Sequence, residues 1–193
     1  MRFLRSLLRR FGRDESGALL AEAVIVLPIM LWAYLALFVY WDAYRSLNSM
    51  QKASYTLSDM ISREMLPVNQ TYVNGMKTVM EYLIDDDQDV ALRVTSVTWD
   101  QDTLKFMVHW SATTSTTMPA LTNATLQTVI NAGTASNVRM PEMSDGDYVV
   151  LVETAVGYHP AFNVGIEDST QEQFIVTRPR FVPCISFANA ACI

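Results

Sequence analysis

A carboxylate in an apolar stretch has the most unusual setting of any ionisable group in this chain. Glu22 lies in a run that begins at Ala18 and continues to Trp41 without another formal charge. Because an ionised carboxylate within a bilayer costs at least about 2.5 kcal/mol, it is usually kept beside a cation. A cut after Gly17 creates such a cation, the free amine of Ala18, which can pair with Glu22 of a neighbouring copy. The alternative is an acid at the start of a helix, held at the level of the lipid headgroups and favoured by the helix dipole.

An acidic run near residue 85 is the best candidate for a metal site. Asp85, Asp87 and Asp89 carry the oxygen ligands that calcium prefers. The EF-hand spacing does not fit, because Val90 stands where that loop needs glycine and Ser96 stands where it needs glutamate. A solvated turn between a helix and a strand is the favoured interpretation, so the three aspartates are weak metal candidates.

The remaining polar residues form no recognisable catalytic group. His109 and His159 are far apart in the sequence, and no third residue is singled out for a metal site or for nucleophilic catalysis. The chain has no G-x-S-x-G turn and no glycine-rich phosphate loop. Its net charge of −6 argues against a nucleic-acid partner. We therefore predict a protein that is not an enzyme and that has no cofactor, no small-molecule substrate and no nucleic-acid partner.

The two cysteines, Cys184 and Cys192, are a candidate disulfide. Cysteines of exported proteins commonly pair, and closing so short a loop adds about 2.5 kcal/mol of stability. We expect the bond to pin a tail rather than to hold the fold. The nearby segment Arg178-Pro179-Arg180 either meets an acidic patch of a partner or forms an edge strand that its proline protects from aggregation.

The apolar run has the length of a membrane span. Ala23–Trp41 contains no formal charge, and as a helix it covers roughly 28 Å of a hydrocarbon core about 30 Å thick. We predict a transmembrane helix over residues 18–41, with Tyr40 and Trp41 at an interface. Pro28 removes a helix hydrogen bond and is predicted to kink the span.

The charges around this span predict its orientation. The leader, residues 1–17, has a net charge of +3, so the remainder of the chain is strongly acidic. The positive-inside rule then predicts a cytoplasmic leader and an exported, periplasmic domain over residues 42–193, carried by a single pass through a bacterial inner membrane. The alternative of a cleaved secretory signal peptide fits less well, because the run is long and its far end is bulky. The basic residues of the leader are Arg2, Arg5, Arg9, Arg10 and Arg13.

The exported part shows helical periodicity first and strand periodicity later, which predicts an α+β fold. The transmembrane helix is expected to continue as an amphipathic stalk over 42–64. Leu104, Phe106, Val108 and Trp110 alternate with polar residues, which is typical of a strand. The full expectation is an antiparallel sheet of about four strands, with a second helix at Thr71–Ile84, strands at Asp89–Trp99, Leu104–Trp110, Asp147–Tyr158 and Gln173–Phe181, and a short helix at Leu126–Ala132.

The N-terminal residues resemble a known processing site. Gly17, with Glu22 five positions later and a basic leader before it, is similar to the prepilin-peptidase site of type IV pilins. The wider run RDESGALLAEAVIVLPIML resembles the TadE/TadG-like minor pilins of the tight-adherence (Tad/Flp) pilus system, on the features Gly17-Ala18, Glu22 and Leu27-Pro28. One position departs from that pattern: Ala23 stands where the family usually has an aromatic residue.

This resemblance implies a structural role. It implies cleavage after Gly17 by a prepilin peptidase, pairing of Glu22 within a helical assembly, and a pilin-like exported domain. The implied partners are the lipid bilayer, pilin or minor-pilin subunits and pilus-assembly membrane proteins, and the implied function is assembly of a pilus for surface adherence. Two alternatives stay open: an uncleaved single-pass scaffold that recruits assembly components, and a membrane-anchored domain that binds calcium or another ligand.

Overall fold

The chain is an α+β protein whose N-terminal apolar run lies within one long helix. The computed structural model describes residues 16–84, 89–131, 140–188 and 190–192. These residues form three helices and one four-stranded antiparallel sheet. The elements are α1 (Ser16–Ser62), α2 (Gln70–Ile84), β1 (Val90–Asp100), β2 (Lys105–Thr113), α3 (Asn123–Asn131), β3 (Tyr148–Tyr158) and β4 (Ser169–Thr177).

Two compact units divide the chain. One holds the residues up to Ala43 together with Pro160–Glu167, and the other holds Tyr44–His159 and the residues from Asp168 onward. Helix α1 contributes residues to both units. The second unit contains the sheet, α2 and α3.

Helix α1 continues without interruption through Pro28 and ends at Ser62. Between Gly17 and its end the helix contains no further glycine, and Pro28 is its only proline. The next residue, Arg63, donates its amide hydrogen to the carbonyl of Met60 at 3.3 Å, which tightens the last turn. The stalk therefore stops within two residues of the predicted boundary.

The two shorter helices begin at polar caps. The side chain of Asn69 accepts a hydrogen bond from the amide of Tyr72 at 2.9 Å and so caps α2. At α3, the hydroxyls of Thr122 and Thr125 accept hydrogen bonds from each other's amides at 3.4 and 2.8 Å. This reciprocal cap begins α3 at Asn123, three residues before the predicted start.

The strand order is β2-β1-β3-β4. Strand β2 therefore forms one edge of the sheet and β4 forms the other. On one face, the inner stripe of α1 shares a core with β1 and β3, and α2 lies on β1 and β2. On the opposite face, α3 covers part of the sheet. The first core contains Met50, Ala53, Leu57, Ile61, Val68, Val73, Met76, Met80, Val90, Leu92, Val94, Trp110, Ala112, Val150, Val152, Val156 and Ile185, and the second contains Val97, Leu121, Leu126, Ile130, Met140, Val149 and Leu151.

A β-bulge in β2 overturns the predicted alternation along that strand. Ser96 of β1 pairs with Trp110, but the next residue, Val97, pairs with Val108, which leaves His109 as the extra residue. Side chains before and after a bulge change faces. Val108 therefore packs against the second core, whereas Trp110 belongs to the first.

Strand β4 lies earlier in the sequence than predicted. It ends at Thr177, whereas the expected strand extended over 173–181. Pro179 has no amide hydrogen and cannot donate to a sheet ladder. The Arg178-Pro179-Arg180 segment consequently follows the strand and is not part of it, which excludes its interpretation as an edge strand.

The segment between the two cysteines is part of the main core, contrary to the expectation of a pinned tail. Ile185 is 1% exposed and packs in the first core. Its carbonyl accepts a hydrogen bond at 2.7 Å from the buried indole of Trp110. The amide of Val68 donates to the carbonyl of Ser186, and the carbonyl of Val68 accepts from the amide of Ala188, both at 2.9 Å. These bonds join the segment to the connection between α1 and α2.

Candidate functional site: the apolar half of helix α1

The first half of α1 exposes most of its apolar side chains, although Val39 near its end is only 1% exposed. Every residue from 20 to 32 is exposed, a stretch longer than three helical turns. The same helix buries Met50, Leu57 and Ile61 completely further along. One helix in the described residues is thus long and apolar enough to cross a membrane. The exposed apolar side chains are Leu20, Val24, Ile25, Val26, Leu27, Ile29, Met30, Leu31, Trp32, Tyr34, Leu37, Phe38, Tyr40 and Trp41.

The proposed processing residues lie in the first turns of this helix. Gly17 is exposed, and a Cβ atom added to it would meet nothing within 4 Å. Glu22 follows Ala18 by four residues, which is about one turn of this helix. Glu22 is exposed and has no ion pair with any residue that the structure describes. Pro28 is exposed and lies within the continuous helix.

Residues 1–15 of the leader and most of the acidic run lie outside the described residues. This applies to Arg2, Arg5, Arg9, Arg10 and Arg13, and also to Asp85 and Asp87. Asp89 is described: it is exposed and immediately precedes β1. In the described ranges, no three His, Cys, Asp or Glu side chains are grouped to hold a metal ion.

The cysteines and one histidine lie together. Cys184 and Cys192 form a disulfide with their Cα atoms 5.9 Å apart. The Nδ1 atom of His109 lies 4.0 Å from the Sγ of Cys184, and its Nε2 is 3.0 Å from the carbonyl oxygen of Ala191. The bulge that sets His109 apart from its strand thus places the ring beside the disulfide.

The two arginines near the C-terminus are used within the chain. Arg178 forms an ion pair with Asp147 at 3.5 Å. Arg180 forms one with Asp59 at 2.8 Å. These partners belong to the same unit of the chain as the arginines, so both cations stabilise intramolecular contacts.

An ion pair on the sheet was not predicted. Arg93 and Glu153 lie opposite each other on β1 and β3, and each is 7% exposed. The Nε and Nη2 atoms of Arg93 each donate to a carboxylate oxygen at 2.7 Å, and its Nη1 donates to the carbonyl of Pro119 at 2.7 Å. The signal in the sequence was one charged residue within each of two otherwise uncharged runs, VALRVTSV and VVLVETAV.

Among the described residues, two side chains have clearly shifted pKa values, and both lie in the second unit. Burial raises the pKa of Tyr72 to about 12, and the nearby carboxylate of Glu64 adds to the effect. A hydrogen bond from the hydroxyl of Thr103 lowers the pKa of Asp100 in the turn between β1 and β2. Neither residue is near Glu22 in sequence, so the shifts describe local structure.

Comparison with known proteins leaves the structure of α1 as the main basis for a functional assignment. No family model matches the sequence, and neither a curated protein nor a solved structure was found to be similar to it.

Proposed function

We propose that the protein is a minor pilin or pseudopilin that takes part in assembly of a Tad/Flp-type pilus for surface adherence. The observation that carries the proposal is the first half of α1: an exposed apolar helix with a lone carboxylate, Glu22, in its early turns. In this proposal the helix anchors the chain in a bacterial inner membrane. The leader is cytoplasmic, and residues 42–193 are periplasmic.

The membrane step rests on exposure and composition. A helix whose apolar side chains are exposed all round is at home in lipid rather than in water. Residues 20–32 are exposed in this way, and their side chains carry a single formal charge, that of Glu22. The arginines of the leader then keep the N-terminus on the cytoplasmic side.

The assembly step rests on Glu22. Cleavage after Gly17 by a prepilin peptidase frees the amine of Ala18. That amine carries the positive charge that a carboxylate in the bilayer needs, and in a packed array of helices it pairs with Glu22 of the adjacent subunit. The pairing stabilises a subunit within the array over a solitary subunit in the membrane.

Pro28 has a mechanical part in this proposal. It cannot donate to the carbonyl of Val24, so one hydrogen bond of the helix is missing in the middle of the span. Such a site bends more easily than a regular helix. A locally loosened helix can adjust as the subunit moves from the bilayer into an assembly.

The uncleaved scaffold is the second candidate, and a specific residue favours it. Ala23 follows Glu22 where the resembling family usually has an aromatic residue. If that residue contributes to recognition by the peptidase, the leader stays attached. The chain then anchors other assembly components in the membrane and does not join the pilus.

The N-terminal residue of the protein recovered from its native membrane decides between the two. The minor-pilin proposal predicts a chain that begins at Ala18, because the peptidase cuts after Gly17. Substitution Gly17→Leu is expected to leave the leader attached and to give a longer chain. A wild-type chain that still begins at Met1 or Arg2 contradicts cleavage and favours the scaffold.

Substitution of Glu22 tests assembly separately from cleavage. We expect Glu22→Ala to abolish most pilus assembly while the protein still inserts in the membrane, because the amine of Ala18 loses its partner. Glu22→Asp keeps the charge and is the matched control, with assembly partly retained. Pili counted by electron microscopy give the result, and wild-type numbers with Glu22→Ala would show that Glu22 has no such role.

A further inference from the structure

An exposed aromatic cluster lies at the end of the apolar half of α1. It consists of Phe38 and Trp41 of the helix and Phe162 of the connection between β3 and β4. The ring centroids of Phe38 and Phe162 are 6.2 Å apart, and those of Phe38 and Trp41 are 6.5 Å apart. These three side chains are between 41 and 58% exposed, so each of them leaves a large apolar surface uncovered.

The loop over residues 160–167 is shaped to place Phe162 in this cluster. The amide of Val164 donates to the carbonyl of Phe162 at 2.9 Å, which forms a tight turn. Gly165 has φ +86°, and a Cβ added to it would lie 3.6 Å from the Oη of Tyr40. Glycine therefore suits the backbone conformation of the loop at this position, whereas a Cβ atom would make only an ordinary contact with Tyr40.

The composition of this loop is unusual for an exposed connection. Ala161, Phe162, Val164 and Ile166 are apolar, and residues 160–166 carry no formal charge. Two acidic residues, Glu167 and Asp168, follow at the base of the loop, where the Nδ1 of His159 lies 3.0 Å from a carboxylate oxygen of Asp168. An apolar tip with a charged base suits a boundary between lipid and water.

We propose that the loop over residues 160–167 inserts Phe162 into the lipid interface, next to Phe38 and Trp41. Aromatic side chains concentrate at the headgroup level of membranes, and the cluster extends directly from the segment that we propose spans the bilayer. The inference rests on that proposed span. Because the loop tip has no cation, the contact depends on apolar insertion and does not require anionic lipid.

Site-directed spin labelling tests the proposal, because the only two cysteines of the chain are joined as a disulfide. The full-length protein is placed in phosphatidylcholine vesicles, and each variant has a single new cysteine. The three variants are Ala161→Cys next to Phe162, Leu31→Cys in the apolar half of α1, and Phe181→Cys in the second unit. Oxygen partitions into lipid, whereas a nickel chelate stays in water. Their relative collision rates with the label therefore report its surroundings.

The expected result is a high oxygen-to-nickel ratio at residue 31, an intermediate ratio at residue 161 and a low ratio at residue 181. Adding Phe162→Ser to the Ala161→Cys variant should lower the ratio at residue 161 several-fold. Repeating the measurement with phosphatidylglycerol in the vesicles should change the oxygen-to-nickel ratio at residue 161 little when Phe162 is present.

The other outcomes separate this inference from the proposed function. A lipid-exposed label at residue 31 with a water-exposed label at residue 161 overturns the loop insertion and leaves the span intact. A label at residue 161 that neither reagent reaches shows that protein covers the cluster, which also overturns the insertion. A water-exposed label at residue 31 overturns the span, and the inference falls with it.

Discussion

At the scale of single residues, the Arg93–Glu153 pair shows how the sheet holds a charge on a buried surface. Both side chains are almost fully enclosed, so each needs its partner to offset the loss of hydration. The third hydrogen bond, from Arg93 to the carbonyl of Pro119, ties the irregular segment after β2 to the centre of the sheet. The pair thus stabilises a loop position in addition to satisfying two charges.

Removing one partner should be costly. We expect Glu153→Gln to lower the free energy of unfolding by about 3 kcal/mol, because the guanidinium of Arg93 is left buried without its counter-ion. Chemical denaturation of the full-length protein in detergent measures the change. Glu142→Gln, an exposed side chain, is the matched control and should be neutral. A loss under about 1 kcal/mol for Glu153→Gln would mean that water reaches the pair.

At the scale of elements, polar side chains cover one edge of the sheet. The outer edge of β2 is covered by side-chain amides: Gln127 donates to the carbonyl of Phe106 at 3.1 Å, and Asn123 accepts from the amide of Val108 at 2.7 Å. Gln70 of α2 donates to the carbonyl of Thr113 at 2.9 Å. Side chains that satisfy an edge strand prevent it from pairing with another chain.

The segment from Cys184 to Cys192 acts as a structural element without being a helix or strand. We expect reduction of the disulfide to lower the free energy of unfolding by about 2.5 kcal/mol, through the freedom gained by the unfolded chain. Ile185 would remain in the core, held by Trp110. Thermal melts with and without reductant measure the change. A Cys184→Ser/Cys192→Ser variant is the control, and its melting temperature should not respond to reductant.

At the scale of the whole molecule, the separation of charge along the chain gives a testable orientation. The leader is basic and the rest is acidic. A periplasmic reporter enzyme fused after residue 193 should therefore be active. In a second fusion, the same reporter replaces residues 42–193, and Arg9, Arg10 and Arg13 are changed to glutamate. This second fusion should lose most of the reporter activity. Equal activity of the two fusions would show that the arginines do not set the orientation.

The sequence was sufficient for the kind and order of the elements, because each has its own periodicity. The sequence did not reveal the bulge at His109, because apolar and polar residues still alternate along the sequence on both sides of the extra residue. It also misplaced β4, because the apolar residues of that strand begin only at Phe174, whereas pairing with β3 begins at Ser169. The contact of Ile185 with Trp110 joins residues distant in sequence, and no local pattern reveals it.

The position of Ile185 in the main core also affects when that core can be completed during synthesis. During synthesis, residues 50–61 of α1 emerge long before Ile185, and at 5–20 residues per second the interval is on the order of ten seconds. Throughout that time the core between α1 and the sheet lacks Ile185 and the hydrogen bond that its carbonyl accepts from Trp110. The inner stripe of α1 therefore stays incompletely covered until the segment that contains Ile185 has been made.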